Sequence, residues 1–413
     1  MGNYRLFLMA FTLQFGITTF AQHGWVKQDP MVVQNLQAVD FFNEQAGVAV
    51  GDNGTIISTE NGGEAWLVVS GITPDLKGVA FASEFRVFAV GTGGSVFLSE
   101  NQGQSWVQIT GPGVGYNLLD ISFDKASGHG VITGQTNAII VTSDFGETWT
   151  IVEDGYMSTF YTTYMANNQM GVVMGWNSIF QPLLGYTLDW QNWDYCNFYP
   201  TWGGVMYEGK ANGGKFLDEL SGFIVGTYFV PGGGFLAPFG GWNSNSWESQ
   251  SFPQPLNAID LKETFGVVAG NNGYLAESED GGESWEMVSI NADNNMLNDV
   301  LLVANTGYIV GNMGMLFKMQ SSVTISEHSL NSDDARCYPN PCYNYLTVDL
   351  GDREGPINVF VFDLIGNIKI CRRIAGSVGK LVLNINELEA GFYFVKIDDL
   401  KGSTVLKFTR KIE

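Results

Sequence analysis

The sequence predicts an all-β protein: a seven-bladed β-propeller closed by its N-terminal strand, followed by a small antiparallel Ig-like β-sandwich. Three observations carry that prediction. First, Gly51, Gly91, Gly134, Gly175, Gly226, Gly270 and Gly311 alternate with Trp25, Trp66, Trp106, Trp149, Trp193, Trp247 and Trp285. The period is about 40–45 residues, the length of one propeller blade. Second, the first Trp has no Gly before it and the last Gly has no Trp after it, so the two ends supply one shared blade. Third, few stretches have helical periodicity, and short alternating strands lie between Gly, Asn and Asp turns.

Taken in order, residues 1–21 read as a secretory signal. Arg5 is its basic start and residues 6–20 its mostly apolar stretch, with cleavage expected between Ala21 and Gln22. Thr12, Gln14, Thr18 and Thr19 interrupt the apolar run, which argues against a membrane anchor. Residues 22–320 form the propeller, 321–336 a polar linker and 337–413 the C-terminal domain.

The blade is clearest at residues 36–69. Residues 36–42 alternate as an inner strand, 46–50 and 55–59 follow as the second and third, and 66–69 is the fourth. The Gly that ends each second strand supplies either a positive φ or room for a close neighbour. The Trp fills the wedge between blades, where a large ring covers much apolar area.

The turn before Trp repeats as Ser278-Glu-Asp280-Gly-Gly282-Glu-Ser284-Trp285 and Thr142-Ser-Asp144-Phe-Gly146-Glu-Thr148-Trp149. Asn61 and Asn101 replace the acid in two further copies. These turns resemble the Asp-box repeats of sialidase-type (BNR) propellers, and the Gly-to-Trp rhythm is similar to that of the photosystem II stability and assembly factors. The resemblance covers roughly residues 25–320 and implies the fold without the photosynthetic role. An Asp or Asn here bonds turn amides, so these acids are structural and lie on the blade periphery.

The rhythm breaks in blades four and five. Gly-to-Trp spacing is 15 residues elsewhere but 18 from Gly175 and 21 from Gly226, and Trp193 to Gly226 is 33. The extra residues, around 175–183, 194–212 and 226–241, are expected on the face where the loops between strands two and three and between blades open. Their aromatic residues make Trp176, Tyr195, Tyr199, Trp202, Tyr228 and Phe235 the candidate contacts for a glycan or protein ligand.

No catalytic residues are assigned. Arg86 is the one arginine of residues 22–320, which excludes the arginine cluster a sialidase uses on its substrate carboxylate. A glycoside hydrolase using acids such as Asp189, Asp194, Glu208 or Asp218 is the alternative reading. There is no phosphate loop and no nucleophile elbow. With three histidines and four cysteines no metal cluster or cofactor site is read. Residues 22–320 carry 30 acids against 8 bases, a charge that repels nucleic acid and anionic lipid.

The last segment carries Tyr338-Pro339-Asn340-Pro341, then a strand ending at Asp363-Leu-Ile-Gly366, then Leu388-Glu-Ala-Gly391-Phe-Tyr393-Phe-Val-Lys-Ile397. Together these resemble the C-terminal sorting domain of type IX secretion cargo from Bacteroidota. The resemblance implies recognition by the secretion machinery, passage through the periplasm to the outer cell surface or medium, and removal of the domain, with release or attachment to lipopolysaccharide. Cys337 and Cys342 flank the first motif, a departure from the family pattern, and are positioned to pair in an oxidising compartment.

Overall fold

The computed structural model describes residues 24–111, 115–152, 158–165, 170–177, 181–218, 221–230, 232–239, 246–320, 336–350, 356–363, 368–375, 379–399 and 402–411. The expected signal peptide with Ala21 and Gln22, nearly all of the linker, and Gly366 lie outside these residues. The chain divides into two compact units, Met1–Ser322 and Val323–Glu413.

Among the described residues, the first unit holds seven four-stranded antiparallel sheets. Blade one is Leu36–Phe41, Gly47–Gly51, Ile56–Thr59 and Leu67–Val69, paired in chain order. Blades two to six begin with Leu76–Phe81, Leu118–Phe123, Ser158–Met165, Gly209–Phe216 and Leu256–Lys262. Blade seven takes three strands from Leu297–Val303, Thr306–Gly311 and Met315–Gln320. Its fourth is Gly24–Lys27, with Trp25 opposite Met319. Blade seven also meets blade one, where Asn298 Nδ2 donates to the Leu36 carbonyl at 2.7 Å.

The blade glycines resolve the alternative left open by the sequence. None of the seven has a left-handed φ; Gly51 and Gly91 are extended, at φ −168°. A Cβ would meet the Asn35 carbonyl oxygen at 1.9 Å on Gly51, that of Asp75 at 2.0 Å on Gly91 and that of Thr159 at 1.9 Å on Gly175. Close approach of the first strand's leading loop therefore selects glycine. The left-handed turn comes two residues later, at Asn53, Gly93, Asn272 and Met313.

The tryptophans do sit between blades. Trp149 meets Phe88 of blade two and Phe123 of blade three edge-on, at 5.6 and 5.8 Å. Trp66 packs against Phe41 and the blade-seven Tyr308. Trp247 is the exception. It lies on Ser246–Glu248, which pairs in parallel with Tyr199–Trp202 and not with blade five. The fourth strand of blade five is Gln250–Phe252. Trp247 stacks on buried Phe198 at 4.9 Å and closes the cluster between blades four and five.

Among the described residues the second unit holds two antiparallel sheets. One is Arg336–Tyr338, Tyr345–Asp349 and Lys380–Asn384; the other is Ile368–Ala375, Pro356–Phe362, Gly391–Asp399 and Gly402–Arg410. Leu346 and Val348 from the first and Val359, Val395 and Phe408 from the second share one core, the arrangement of a sandwich. The bonds preceding Pro339 and Pro341 are both cis. Asp363 pairs with Lys369 at 3.0 Å, and Tyr393 donates to the Glu389 carbonyl and stacks on Phe408.

Candidate functional site

Every blade carries the same irregularity. The register of the first strand against the second slips by one residue near its start, between Leu36 and Ala38 in blade one and at the matching place in the other six. A bulge of this kind re-aims one side chain. The seven extra residues are Gln37, Lys77, Leu119, Tyr161, Asn212, Asn257 and Asn298, and all of them line one central cavity of about 350 Å³. Three of the asparagines serve the ring itself: Asn212, Asn257 and Asn298 each donate to the first-strand carbonyl of the next blade at 2.7–2.8 Å.

Deeper in the cavity stand four aspartates that sequence reasoning did not single out. Each accepts one N–H from its own strand and one from the following blade. Asp40 bonds Phe41 and Phe81, and Asp120 bonds Ile121 and Thr163. Asp260 bonds Leu261 and Leu302, and Asp299 bonds Val300 and Val39. Lys125 neutralises Asp40 at 2.9 Å and Lys215 neutralises Asp260 at 2.7 Å. Burial pushes Asp120 up to about 6 and Asp299 up to about 7. The signal in the sequence was an acid two or four residues after the strand's leading leucine, at Asp120 and Asp299 or at Asp40 and Asp260.

The Asp-box acids are engaged in their own turns. Asp144 accepts from Thr142 Oγ1 at 2.7 Å, from the Thr148 amide at 2.9 Å and from Thr148 Oγ1 at 2.6 Å. Desolvation opposes ionisation there, yet these bonds hold the carboxyl down to about 2. Asp280 repeats the pattern, with Ser284 the largest contributor, and is also held at about 2. Asp189, in the degenerate copy, is held at about 2 chiefly by the Asn192 amide.

At the rim between blades four and five the aromatic residues separate into two groups. Tyr228 is 1% exposed and Phe235 0% exposed. Tyr228 shares its hydroxyl with Ser249 at 2.5 Å, and both rings belong to the core between the two blades. The expectation that they line an exposed loop is thus corrected: residues 222–228 and 234–238 are full strands, and alternation turns these two rings inward. Tyr195 is half-buried near Phe160. Tyr199 is half-buried on the added strand.

The second group is accessible. Trp202 is 47% exposed, at the tip of a hairpin formed by Tyr199–Trp202 and Val205–Met206. Gly203 and Gly204, both at positive φ, make the turn. Val205, Met206, Phe229 and Val230 are also exposed. The Phe229 amide donates to the Glu208 carbonyl, and Tyr207 bridges the Trp202 and Tyr228 rings, which makes the patch contiguous. Beneath Phe229 lies Trp176, edge-on to the bulge residue Tyr161 at 5.4 Å. Lys210 Nζ sits 4.4 Å over the Tyr161 ring, and burial lowers its pKa. The patch therefore runs from the outer hairpin to the cavity mouth.

Of the four acids named for hydrolysis, Glu208 and Asp218 lie far apart and Asp189 is tied up in its turn. Glu208 and Asp218 flank opposite ends of Gly209–Phe216, a strand of eight residues, which places them roughly 25 Å apart. Among the described residues no group of three or more His, Cys, Asp or Glu is arranged to hold a metal ion.

Residues 336–411 match the family described as secretion system C-terminal sorting domain, and residues 241–326 match photosynthesis system II assembly factor YCF48. A sequence comparison with curated proteins finds no match. A solved structure of YCF48 bound to D1 peptide is 18% identical with a TM-score of 0.58, covering 73% of this chain and 98% of that one. YCF48 from Cyanidioschyzon merolae is 14% identical with a TM-score of 0.56, covering 71% and 98%. PorZ, a surface component of the type-IX secretion system of Porphyromonas gingivalis, is 14% identical with a TM-score of 0.51, covering 91% of this chain and 59% of that one.

The class is therefore an all-β protein: a β-propeller with a segment that matches the YCF48 family model, followed by a segment that matches the secretion system C-terminal sorting domain. More particularly, the chain is a secreted or outer-surface propeller module whose C-terminal domain engages the type IX secretion machinery.

Proposed function

We propose that the propeller is a docking module and that its ligand is an extended polypeptide segment of apolar and basic character. The observation that carries this reading is the exposed apolar patch of Trp202, Val205, Met206, Phe229 and Val230. Three of the five are aliphatic or thioether side chains, which offer nothing to sugar hydroxyls but gain from burial against another polypeptide. Among the described residues Val205–Met206 also pairs on one side only, with Tyr199–Trp202, and that edge is a template for strand addition. Exposed Glu208 borders the patch, on a body of strong negative charge, so basic residues flanking the apolar ones are favoured. The YCF48 propeller solved with a peptide supports the same use of the fold.

The test replaces Trp202 and Met206 together with Ser and measures capture of a peptide library by fluorescence anisotropy, with a glycan array in parallel. Both side chains are exposed, so the circular dichroism spectrum is expected to stay unchanged. Peptide affinity should fall at least about tenfold. Undiminished peptide capture, or selective capture of glycans alone, would overturn the reading.

A further inference from the structure

We propose that Cys337 and Cys342 close into an intramolecular disulfide that clamps the Tyr338-Pro-Asn-Pro341 segment against the last strand of the C-terminal unit. Cys342 is fully buried in the core of that unit, and Cys337, partly buried, packs against that core; both are free thiols in the structure. Each faces the same neighbouring strand, Gly402–Arg410: Cys337 Sγ lies 3.7 Å from the Lys407 carbonyl, and Cys342 Sγ lies 3.4 Å from that of Thr409. Those carbonyls are two residues apart, so they point to the same side about 6–7 Å from one another. The segment between the cysteines is held over the same stretch. Asn340 Nδ2 donates to the Lys407 carbonyl at 3.0 Å, the Thr409 amide donates to Asn340 Oδ1 at 2.9 Å, and the Cys342 amide donates to the Thr409 carbonyl at 2.8 Å. Both ends of the segment are thereby gathered to one edge, and the two thiols are near enough to influence each other's ionisation.

The oxidant is a small-molecule or protein disulfide. One cysteine thiolate attacks it, giving a mixed disulfide and one released thiol. The second cysteine thiolate then displaces the second thiol. The Cys337–Cys342 bond forms, the oxidant's S–S bond is reduced by two electrons, and the two thiol protons leave on the released thiols. Burial pushes the Cys337 thiol up to about 11 and raises that of Cys342, so thiolate is scarce once the unit has folded. In the folded unit, where Cys342 is fully buried, the bond therefore forms slowly.

The experiment uses the full chain, unfolded and reduced, then refolded in a buffer of reduced and oxidised glutathione. Free thiols are blocked by alkylation, and peptides are mapped by mass. The expected map has a 337–342 linked peptide about 2 Da lighter than its reduced form, with Cys196 and Cys371 alkylated. Chain folded in reductant before transfer to the same buffer should form the link at least about tenfold more slowly. A C337S/C342S double variant, followed by circular dichroism, reports whether refolding itself needs the bond. Alkylated Cys337 and Cys342 after oxidative refolding, or linkage of either to Cys196 or Cys371, would overturn the proposal.

Discussion

At the scale of single residues, the chain uses small groups where backbone must approach backbone and short polar groups where a turn must be tied. Gly91 carries the clearest consequence. A methyl group there would stand 2.0 Å from the Asp75 carbonyl oxygen, and the first-strand loop would have to move outward. Gly91→Ala is expected to cost about 1–3 kcal/mol, read as a lower urea midpoint with an unchanged m-value. Gly93, two residues on, has open space around its Cβ position but a φ of 67°; replacing it with Asn, which tolerates that conformation, should be nearly neutral. The contrast separates lack of space from backbone conformation as the reason for glycine.

At the scale of elements, the strand Gly24–Lys27 closes the ring. Trp25 packs against the cluster between blades six and seven, and its indole N–H donates to Glu277 Oε1 at 2.6 Å. Glu277 is only 7% exposed. Trp25→Ala removes a half-buried ring and its bond together, and is expected to cost about 2–3 kcal/mol. Trp25→Phe keeps most of the ring but leaves the carboxylate without that donor, at a cost of about 1–2 kcal/mol. Urea unfolding of both variants checks the order. Equal losses would mean that the bond to Glu277, and not the packing, holds the closing strand.

At the scale of the whole molecule, two sets of aspartates bias stability in opposite directions with pH. In the cavity, Asp120 at about 6 and Asp299 at about 7 lie above the ordinary value of 3.8. The folded state binds these protons more tightly than the unfolded chain does, so stability rises as pH falls through 7 and 6. In the turns, Asp144, Asp189 and Asp280 at about 2 lie below that value. Their contribution is present above 3.8 and is lost as pH falls towards 2. Stability is expected to be greatest at about pH 4–6, with the upper limb flattened in an Asp120→Asn/Asp299→Asn variant. Urea midpoints across about pH 2.5–8 check this; a steady decline from pH 8 to pH 5 in the native chain would contradict it.

The repeat, the closing N-terminal strand and the sorting module were all legible in the amino-acid order. Those features are written locally. A Gly is needed where backbones touch, a Trp between blades, and an Asp or Asn in the turns at 61, 101, 144, 189 and 280, so each leaves a mark at a recurring spacing. The shared blade follows from Trp25 and Gly311 lacking partners. The irregular region was also legible as blades four and five, because insertions change spacing directly. What only the tertiary structure decided was which way each side chain there points. Tyr228 and Phe235 read as loop aromatics, yet they lie on strands whose alternation buries them, while Val205, Met206 and Val230 emerge beside Trp202 on the surface. Trp247 falls late in its repeat and lies outside its blade, since an added strand from residues 199–202 captured it. The ring of Asp40, Asp120, Asp260 and Asp299 was hidden for the same reason. Its members are far apart in sequence, fall at two different offsets in their strands, and meet only because the first strands of all seven blades line one cavity.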